Sequence, residues 1–477
     1  MADFIHFIGI GGIGVSALAQ VAQARGARVS GSDSHADPAS NPALARLIAH
    51  GATYHLGHRR ENLARAITLV VATAAAAAEN PEIAEAHARG IRVVSRAAYL
   101  GELMAAHRGP KIAVSGTHGK TTTTGMIGVM LQQAGLDPTV FVGGEVAQLG
   151  GNVRVGGPNG PFVAEACEAY DSFLHLRPDI AVITNVEADH LDHYGTEDGV
   201  FAAFGRFLAN LRDGGSIAAC ADDAGVRRLL DSQAGGLHGR SVLYGIQAET
   251  AEVQARSVHL GEQPTFVLAG PALNSEMPVR MHVPGRHNIE NALAASAVGT
   301  LLDLSPGEIA AGLAAFRGAE RRQDILGEFE VGAATALVVD DYAHHPTEIR
   351  ATLAALRGAY PDRRTIAVFQ PHLYSRTRDF LPEFARALSQ ADVLIVTDIY
   401  AAREAAIEGV RAADIVDLAR QERPGLDARF VQDKRAIPAM LRDMVCPGDL
   451  VVFMGAGDIR EQGESFVNRR TAAGAAS

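Results

Sequence analysis

The stretch Lys111 to Thr124, KIAVSGTHGKTTTT, constrains the fold of this chain more than any other. Ile112, Ala113 and Val114 form a short apolar run, Ser115-Gly116 breaks it, and Thr121 to Ala134 is compatible with a helix despite Gly125 and Gly128. A strand, a glycine loop and a helix start make a cradle for an anion, because glycines let the backbone approach, the helix N-terminus presents N–H groups, and Lys120 adds a full charge. The strict phosphate-loop pattern would put its first glycine at Val114, whereas here it is Gly116. Spacing alone leaves two readings open: a nucleotide site built from Gly116, Thr117, His118, Gly119, Lys120, Thr121 and Thr122, or an ordinary turn with a surface lysine. Composition favours the first. The lysines are Lys111, Lys120 and Lys434, and one of these few compact ammonium groups stands in the glycine loop, where it suits phosphate.

A second glycine turn lies near the start. Phe4 to Ile10 reads as a strand feeding Gly9, Gly11, Gly12 and Gly14, Val15 to Ala24 as a helix, and Arg28-Val29-Ser30 as a second strand ending near Asp33. This is a Rossmann-type start, with an acidic residue where a ribose hydroxyl is usually held. A dinucleotide is the default ligand, although the physics asks only for a diphosphate on a helix N-terminus. Strands at Thr68 to Ala72 and Arg92 to Val94 continue the alternation, the alanine run Ala74 to Ala78 reads as a loop or helix start, and Ala105 to Pro110 is a polar break.

After the loop, Phe162 to Glu165 and Ala181 to Asn185 read as strands, the second leading into Glu187, Asp189 and His190. Doubly wound sheets bind ligands at the carboxyl ends of strands, so Glu165, Glu187, Asp189 and His190 should border the Lys120 loop. Hard oxygen ligands there suit magnesium, with the Thr121 hydroxyl as a further ligand. Asn288 and Asn291 open an alanine-rich helix; they share a face toward one flat polar ligand, or Asn288 is a cap. A change of texture near Arg317 precedes strands at Ala336 to Val339, Ile366 to Phe369, Val393 to Val396 and Leu450 to Phe453, with histidines and arginines past their ends.

The length of 477 residues suits three domains of ordinary size. A net charge of −11 argues against bulk nucleic-acid binding and a basic membrane-surface patch. The start MADFIHFIGIGG lacks a signal-peptide pattern, and the weakly polar run from Ile67 to Ala78 is too short to span a bilayer, so a soluble, cytoplasmic protein is expected. Cys167, Cys220 and Cys446 suggest neither a disulfide framework nor a zinc site.

Taken together, HFIGIGGIGVSALA, VSGSD, ENPEI, GTHGKTTTT, EACEAYDSFLHL, TNVEADHLDHY, PGRHNIENALAA, Arg321-Arg322, DDYAHHPTEI, FQPHLYSRT and GAGDI resemble the Mur ligase family over essentially the whole chain. The resemblance implies an α/β protein of three domains: a Rossmann-like N-terminal domain for a UDP-sugar (1–108), a central P-loop-type ATPase domain (109–317) and a Rossmann-like C-terminal domain for the amino acid (318–477). The segment FQPHLYSRT, and the absence of any lysine between Lys120 and Lys434 that could carry a carbamate, resemble the branch that joins L-alanine to the lactyl carboxylate of UDP-N-acetylmuramate through an acyl phosphate. A murein tripeptide ligase of the same family is the near alternative; an NAD-dependent dehydrogenase is the alternative of another class.

On this resemblance the first glycine turn serves the diphosphate of UDP, correcting the dinucleotide default, with Asp33 near the uridine. Lys120 and the Gly116 to Gly119 backbone hold the ATP phosphates, and Thr121, Glu165 and His190 hold magnesium. His287 and Asn291 lie near adenine, and Arg321 and Asp341 lie on the phosphate or ribose side. His344 and Arg376 meet the reacting carboxylate and the alanine, the arginine suiting a free carboxylate bidentately. A monomer or weak homodimer is expected. Cys167, Gln323 and Arg403 depart from the usual family residues.

Overall fold

The protein is described from a computed structural model covering residues 3–73, 76, 79–233, 239–402 and 404–468; apart from Ala76, the alanine run at 74–78 falls outside the described residues, as does Arg403. The strands of the described residues form three sheets.

The first has β1 (Phe4–Ile8), β2 (Arg28–Asp33), β3 (Thr53–Leu56), β4 (Leu69–Ala72) and β5 (Arg92–Ser95), in the order β3-β2-β1-β4-β5. All its pairings are parallel. Helices cover such sheets on both faces, so β4 reads as a continuous apolar run, β1 as one broken only by His6, and both are buried throughout.

The second sheet has β6 (Lys111–Ser115), β7 (Thr139–Val146), β8 (Gly151–Arg154), β9 (Phe162–Glu165), β10 (Ile180–Ile183), β11 (Ser216–Cys220), β12 (Ser241–Gly245), β13 (Val253–His259), β14 (Thr265–Ala269) and β15 (Met277–Arg280). Its order is β15-β14-β13-β12-β11-β10-β6-β9-β7-β8. The third has β16 (Asp324–Val331), β17 (Ala334–Asp341), β18 (Thr365–Phe369), β19 (Val393–Thr397), β20 (Asp427–Val431) and β21 (Leu450–Met454), in the order β16-β17-β21-β18-β19-β20. Here β16 is antiparallel to β17 and the other pairings are parallel.

The chain forms two compact units. One carries the first sheet, most of the second, Phe266–Val279 and Glu290–Phe316; the other carries Val258–Thr265, Arg280–Ile289 and the third sheet.

The threonine-rich start of the helix Lys120–Gln133 has poor helix propensity. Burial overrides it, for every residue from Thr121 to Leu131 is buried. Gly125 and Gly128 are packing residues: a Cβ on the first would lie 3.0 Å from Phe316, and on the second 3.0 Å from Leu149 and Val140.

In the first sheet a buried polar cluster forms around Glu82. Asn80 caps the helix Pro81–Ala88, accepting from the Glu82 and Ile83 N–H groups, with proline at its first position and Glu82 in its first turn. The Glu82 carboxylate accepts from Ser32 Oγ at 2.6 Å and Asn62 Nδ2 at 2.6 Å, and lies 3.2 Å from His58 Nδ1 and 3.6 Å from His6 Nε2. Burial works to raise its pKa, but the neighbouring His6 imidazole and hydrogen bonds from Ser32 and Asn62 prevail and hold it at about 2, against an ordinary 4.5. A depressed carboxyl pKa contributes stability above the unfolded value, and that contribution is lost as pH falls through the folded one. Acidification from pH about 4.5 to about 2 should therefore remove on the order of 3 kcal/mol through this one group. Acid unfolding followed by circular dichroism checks this: Glu82→Gln should be less stable at neutral pH and lose less across that window.

Candidate functional site

Strand β6 lies between β10 and β9, fully buried, and its chain leaves at the carboxyl end into the Gly116–Gly119 loop. Gly116 has φ +137°, and a Cβ there would lie 2.0 Å from Thr184 Oγ1; Gly119 has φ +82°, and a Cβ would lie 2.5 Å from Asn291 Oδ1. Both positions require glycine. Gly119 is the N-cap and offers no side chain to the helix N–H groups. The loop is stitched to the end of β10. Thr117 N–H donates to Asn185 O at 3.1 Å, His118 N–H to Asn185 Oδ1 at 2.7 Å, and Thr184 Oγ1 to His118 O at 2.6 Å. Thr117 Oγ1 accepts from Glu187 N–H at 2.9 Å. These bonds use the Thr117 and His118 N–H groups, and it is the helix start after Gly119, which no N-cap side chain covers, that suits an anion.

Lys120 folds back over the loop. Its ammonium donates to Gly116 O at 2.6 Å, Thr117 O at 2.9 Å and Glu168 Oε1 at 2.9 Å, and Glu168 Oε2 is 2.8 Å away. Burial opposes its charge, but Glu168, with Cys167 and Glu165 behind it, raises the lysine pKa above the usual value. Thr121 Oγ1 donates to Glu165 Oε1 at 3.2 Å, while Glu165 Oε2 accepts from Gly143 N–H at 2.8 Å. His190 has φ +53°, and its Nε2 lies 3.8 Å from Glu168 Oε1 and 3.9 Å from Asp189 Oδ2. Thr122 is buried in the first helical turn, and Asn291 Oδ1 accepts from Thr123 Oγ1 at 3.1 Å. The structure thus brings Glu165, Glu187, Asp189 and His190 to the neighbourhood of the Lys120 loop, as the strand-end argument predicts, and Asn291 joins them from an alanine-rich helix. Thr121 and Glu165 offer hard oxygen donors of the kind magnesium takes, and His190 adds an imidazole nearby, beside Glu168.

Burial first, then Glu168, pushes the Cys167 thiol up to about 11, and burial pushes Cys220 to about 12, whereas Cys446 is exposed. Iodoacetamide at pH 8 should therefore alkylate the native protein at Cys446 alone, checked by peptide mass mapping.

In the first sheet, Gly9 has φ +79°, and a Cβ on Gly11 would lie 2.2 Å from Ala36 Cβ. Asp33 braces this turn: Oδ2 accepts from Gly11 N–H at 3.1 Å, and Oδ1 from the His35 and Ala36 N–H groups, each at 3.1 Å. Gly12 caps the helix Ile13–Ala24 without a side chain, and a Cβ on Gly14 would lie 3.0 Å from Arg96 Nη1.

The remaining expected residues belong to the third-sheet unit or the segment grouped with it. Arg321, at φ +59°, donates from Nη2 to Gly455 O at 2.7 Å and Gly457 O at 3.1 Å, and its guanidinium lies over Tyr342. Asp341 is buried, accepting from Gln323 N–H, Ala343 N–H and Thr352 Oγ1; burial, only partly offset by Arg322, raises its pKa to about 6. These two brace the loops around the unit's strand ends. His287 lies 3.3 Å from Gln323 Nε2, and burial with Arg322 nearby lowers it to about 4. Asn288 lies inside the helix Arg286–Leu301 and donates to Pro284 O at 2.7 Å, so it is not the cap. His344 Nδ1 is 3.0 Å from Tyr342 O and 3.2 Å from Glu348, and its ring is 6.0 Å from that of His372. His372 stacks on Tyr400 at 5.7 Å, and burial first, then Arg376, lowers its pKa to about 4. His344, His372 and the buried Arg376 are thus gathered past the ends of β17 and β18.

Three family models match this chain: the Mur ligase family catalytic domain over residues 4–108, the Mur ligase middle domain over 161–299, and the Mur ligase glutamate ligase domain over 306–457. The chain belongs to the Mur ligase family. The UDP-N-acetylmuramate–L-alanine ligase of Salinibacter ruber is 43% identical, matching over 97% of this chain and 94% of its own length. The enzyme of that name in Kineococcus radiotolerans is 44% identical over 97% and 95%. Among solved structures, the UDP-N-acetylmuramate-alanine ligase MurC of Thermotoga maritima matches with a TM-score of 0.79 at 29% identity, covering 98% of both chains. A murein peptide ligase from Psychrobacter arcticus gives 0.71 at 26%, again covering 98% of both.

In this Mur ligase, sequence reasoning passed over Glu168, His372 and the Thr184-Asn185 clasp on the loop. Glu168 had one available signal, its place three residues after the strand-end carboxylate Glu165. Among the described residues, no helix is long and apolar enough to cross a membrane.

Proposed function

We propose that this Mur ligase joins L-alanine to the lactyl carboxylate of UDP-N-acetylmuramate at the expense of ATP. The observation that carries the reading is the Lys120 loop with Thr121, Glu165 and His190 at its rim, in a chain 43% identical over nearly its whole length to an enzyme named for that reaction. A carboxylate is a poor electrophile. Its oxygen attacks the γ-phosphorus of ATP, ADP leaves, the alanine amine attacks the acyl carbon, and phosphate departs with the original carboxylate oxygen.

The loop N–H groups and Lys120 hold the transferring phosphates where charge develops. Thr121, Glu165 and His190 are the residues that would hold magnesium, which when bound neutralises phosphate charge. Arg376 and His344 would orient the carboxylates of substrate and amino acid, and His287 and Asn291 would lie toward adenine. The turn at Gly9, Gly11, Gly12 and Gly14 would take the UDP diphosphate, with Asp33 shaping that turn and set toward the uridine. The division 1–108, 109–317 and 318–477 is supported by the three sheets, each of which falls within one segment. Cytoplasmic location follows from the nucleotide substrates.

A murein peptide ligase is the second reading, resting on the 26% identical structure, which lies below the 29% match to the alanine enzyme. ADP release with UDP-N-acetylmuramate and L-alanine, glycine, L-serine or murein tripeptide, with and without magnesium, tests both. Magnesium-dependent release with L-alanine is expected; preference for the tripeptide would favour the peptide ligase.

A further inference from the structure

Resting on the reading of Lys120 and His190 as groups flanking the reacting phosphate, we propose that Glu168 is a positioning residue, whose buried carboxylate fixes the Lys120 ammonium on the loop and couples it to His190. Glu168 is 2% exposed, and its two oxygens lie 2.9 and 2.8 Å from one ammonium, which also donates to two loop carbonyls. An ammonium has three donors, and here four acceptors surround it, so the flexible lysine stem is held in one place before any ligand arrives. Glu168 Oε1 also lies 3.8 Å from His190 Nε2, which puts one carboxylate between the two groups.

The carboxylate is itself aimed. The Glu168 carbonyl accepts from Tyr194 Oη at 2.5 Å and from Asp171 N–H at 3.0 Å. The next turn holds Tyr170 and Asp171 in the left-handed region, at φ +53° and +56°, with Asp171 anchored to Arg206 at 3.0 Å. Backbone strain of this kind persists only where the surroundings over-determine it, and here it delivers a single side chain to Lys120.

A counter-ion that merely neutralised a buried lysine would become redundant once a nucleotide brought its own negative charge. Removing it would then leave turnover intact or tighten nucleotide binding. A positioning residue behaves otherwise: without it the ammonium wanders, and the loss falls on kcat.

Three variants test this: Glu168→Gln, which is isosteric and uncharged; Glu168→Asp, which keeps the charge and with it the fold but withdraws the carboxylate by one methylene; and Glu168→Gln combined with Lys120→Ala. The expected result is a fall in kcat of about tenfold or more for Glu168→Gln and about fivefold for Glu168→Asp, with the KM for ATP and the calorimetric affinity for ADP not weakened beyond about threefold. Because Glu168 acts through Lys120, the double variant should keep the residual turnover of Lys120→Ala within about threefold. Unchanged kcat in both single variants would overturn the proposal, as would a weakened ADP affinity that accounts for the whole loss, or a double variant about tenfold below Lys120→Ala. With an active wild-type enzyme such a failure removes this inference alone, whereas a wild-type enzyme that releases no ADP removes the functional reading as well.

Discussion

Lys120→Ala is expected to lower kcat for ADP release by about a hundredfold or more, since one preorganised charge at a developing anion is commonly worth about 3 kcal/mol. The ammonium already lies over the loop on the Gly116 and Thr117 carbonyls, so when phosphate arrives it has only to exchange one of these acceptors for a phosphate oxygen. The substitution also leaves Glu168 buried without its cation, at a cost on the order of 3 kcal/mol in stability. A melting curve recorded beside the kinetics separates the two effects: a folded variant with turnover above about a tenth of wild type would remove Lys120 from the chemistry.

The second large effect is expected at Gly116. Alanine there meets both a left-handed φ of +137° and the Thr184 hydroxyl at 2.0 Å, with the Asn185 backbone at 3.1 Å. Thr184 cannot retreat without releasing His118 O, the bond that clasps the loop to β10. Gly116→Ala should therefore cost about 2 kcal/mol or more of stability and weaken ADP binding by about tenfold or more, measured by melting and calorimetry. Gly135→Ala is the control. It too has a positive φ, +75°, but nothing lies within 4 Å of its Cβ, so it should cost only about 1 kcal/mol and leave ADP binding intact.

What could be read from the chain beforehand followed burial. Strands β1, β4, β6, β10, β18, β19 and β21 are buried along most or all of their length and appear as plain apolar runs, so their ends, and the polar residues just beyond them, could be placed. Strands β16 and β20, the edges of the third sheet, alternate charged with apolar side chains and carry no such run. At the site, glycines and strand-end carboxylates gave the Lys120 loop its partners. The direction of a long side chain could not be read: nothing in Arg321-Arg322 says that the first guanidinium turns onto Gly455 and Gly457. Nor does Tyr170 belong to the residue types that favour a left-handed turn, and Asp171, which tolerates one, does not announce it, so the path that carries Glu168 to Lys120 was invisible.

The measurement that bears most directly on the central claim follows an oxygen atom. UDP-N-acetylmuramate labelled with oxygen-18 in its lactyl carboxylate is incubated with the enzyme, ATP, magnesium and L-alanine, and the released phosphate is analysed by mass spectrometry. Activation through an acyl phosphate predicts one labelled oxygen in each phosphate from fully labelled carboxylate, in step with ADP and amide formation. Phosphate that carries no label while amide accumulates would contradict the account.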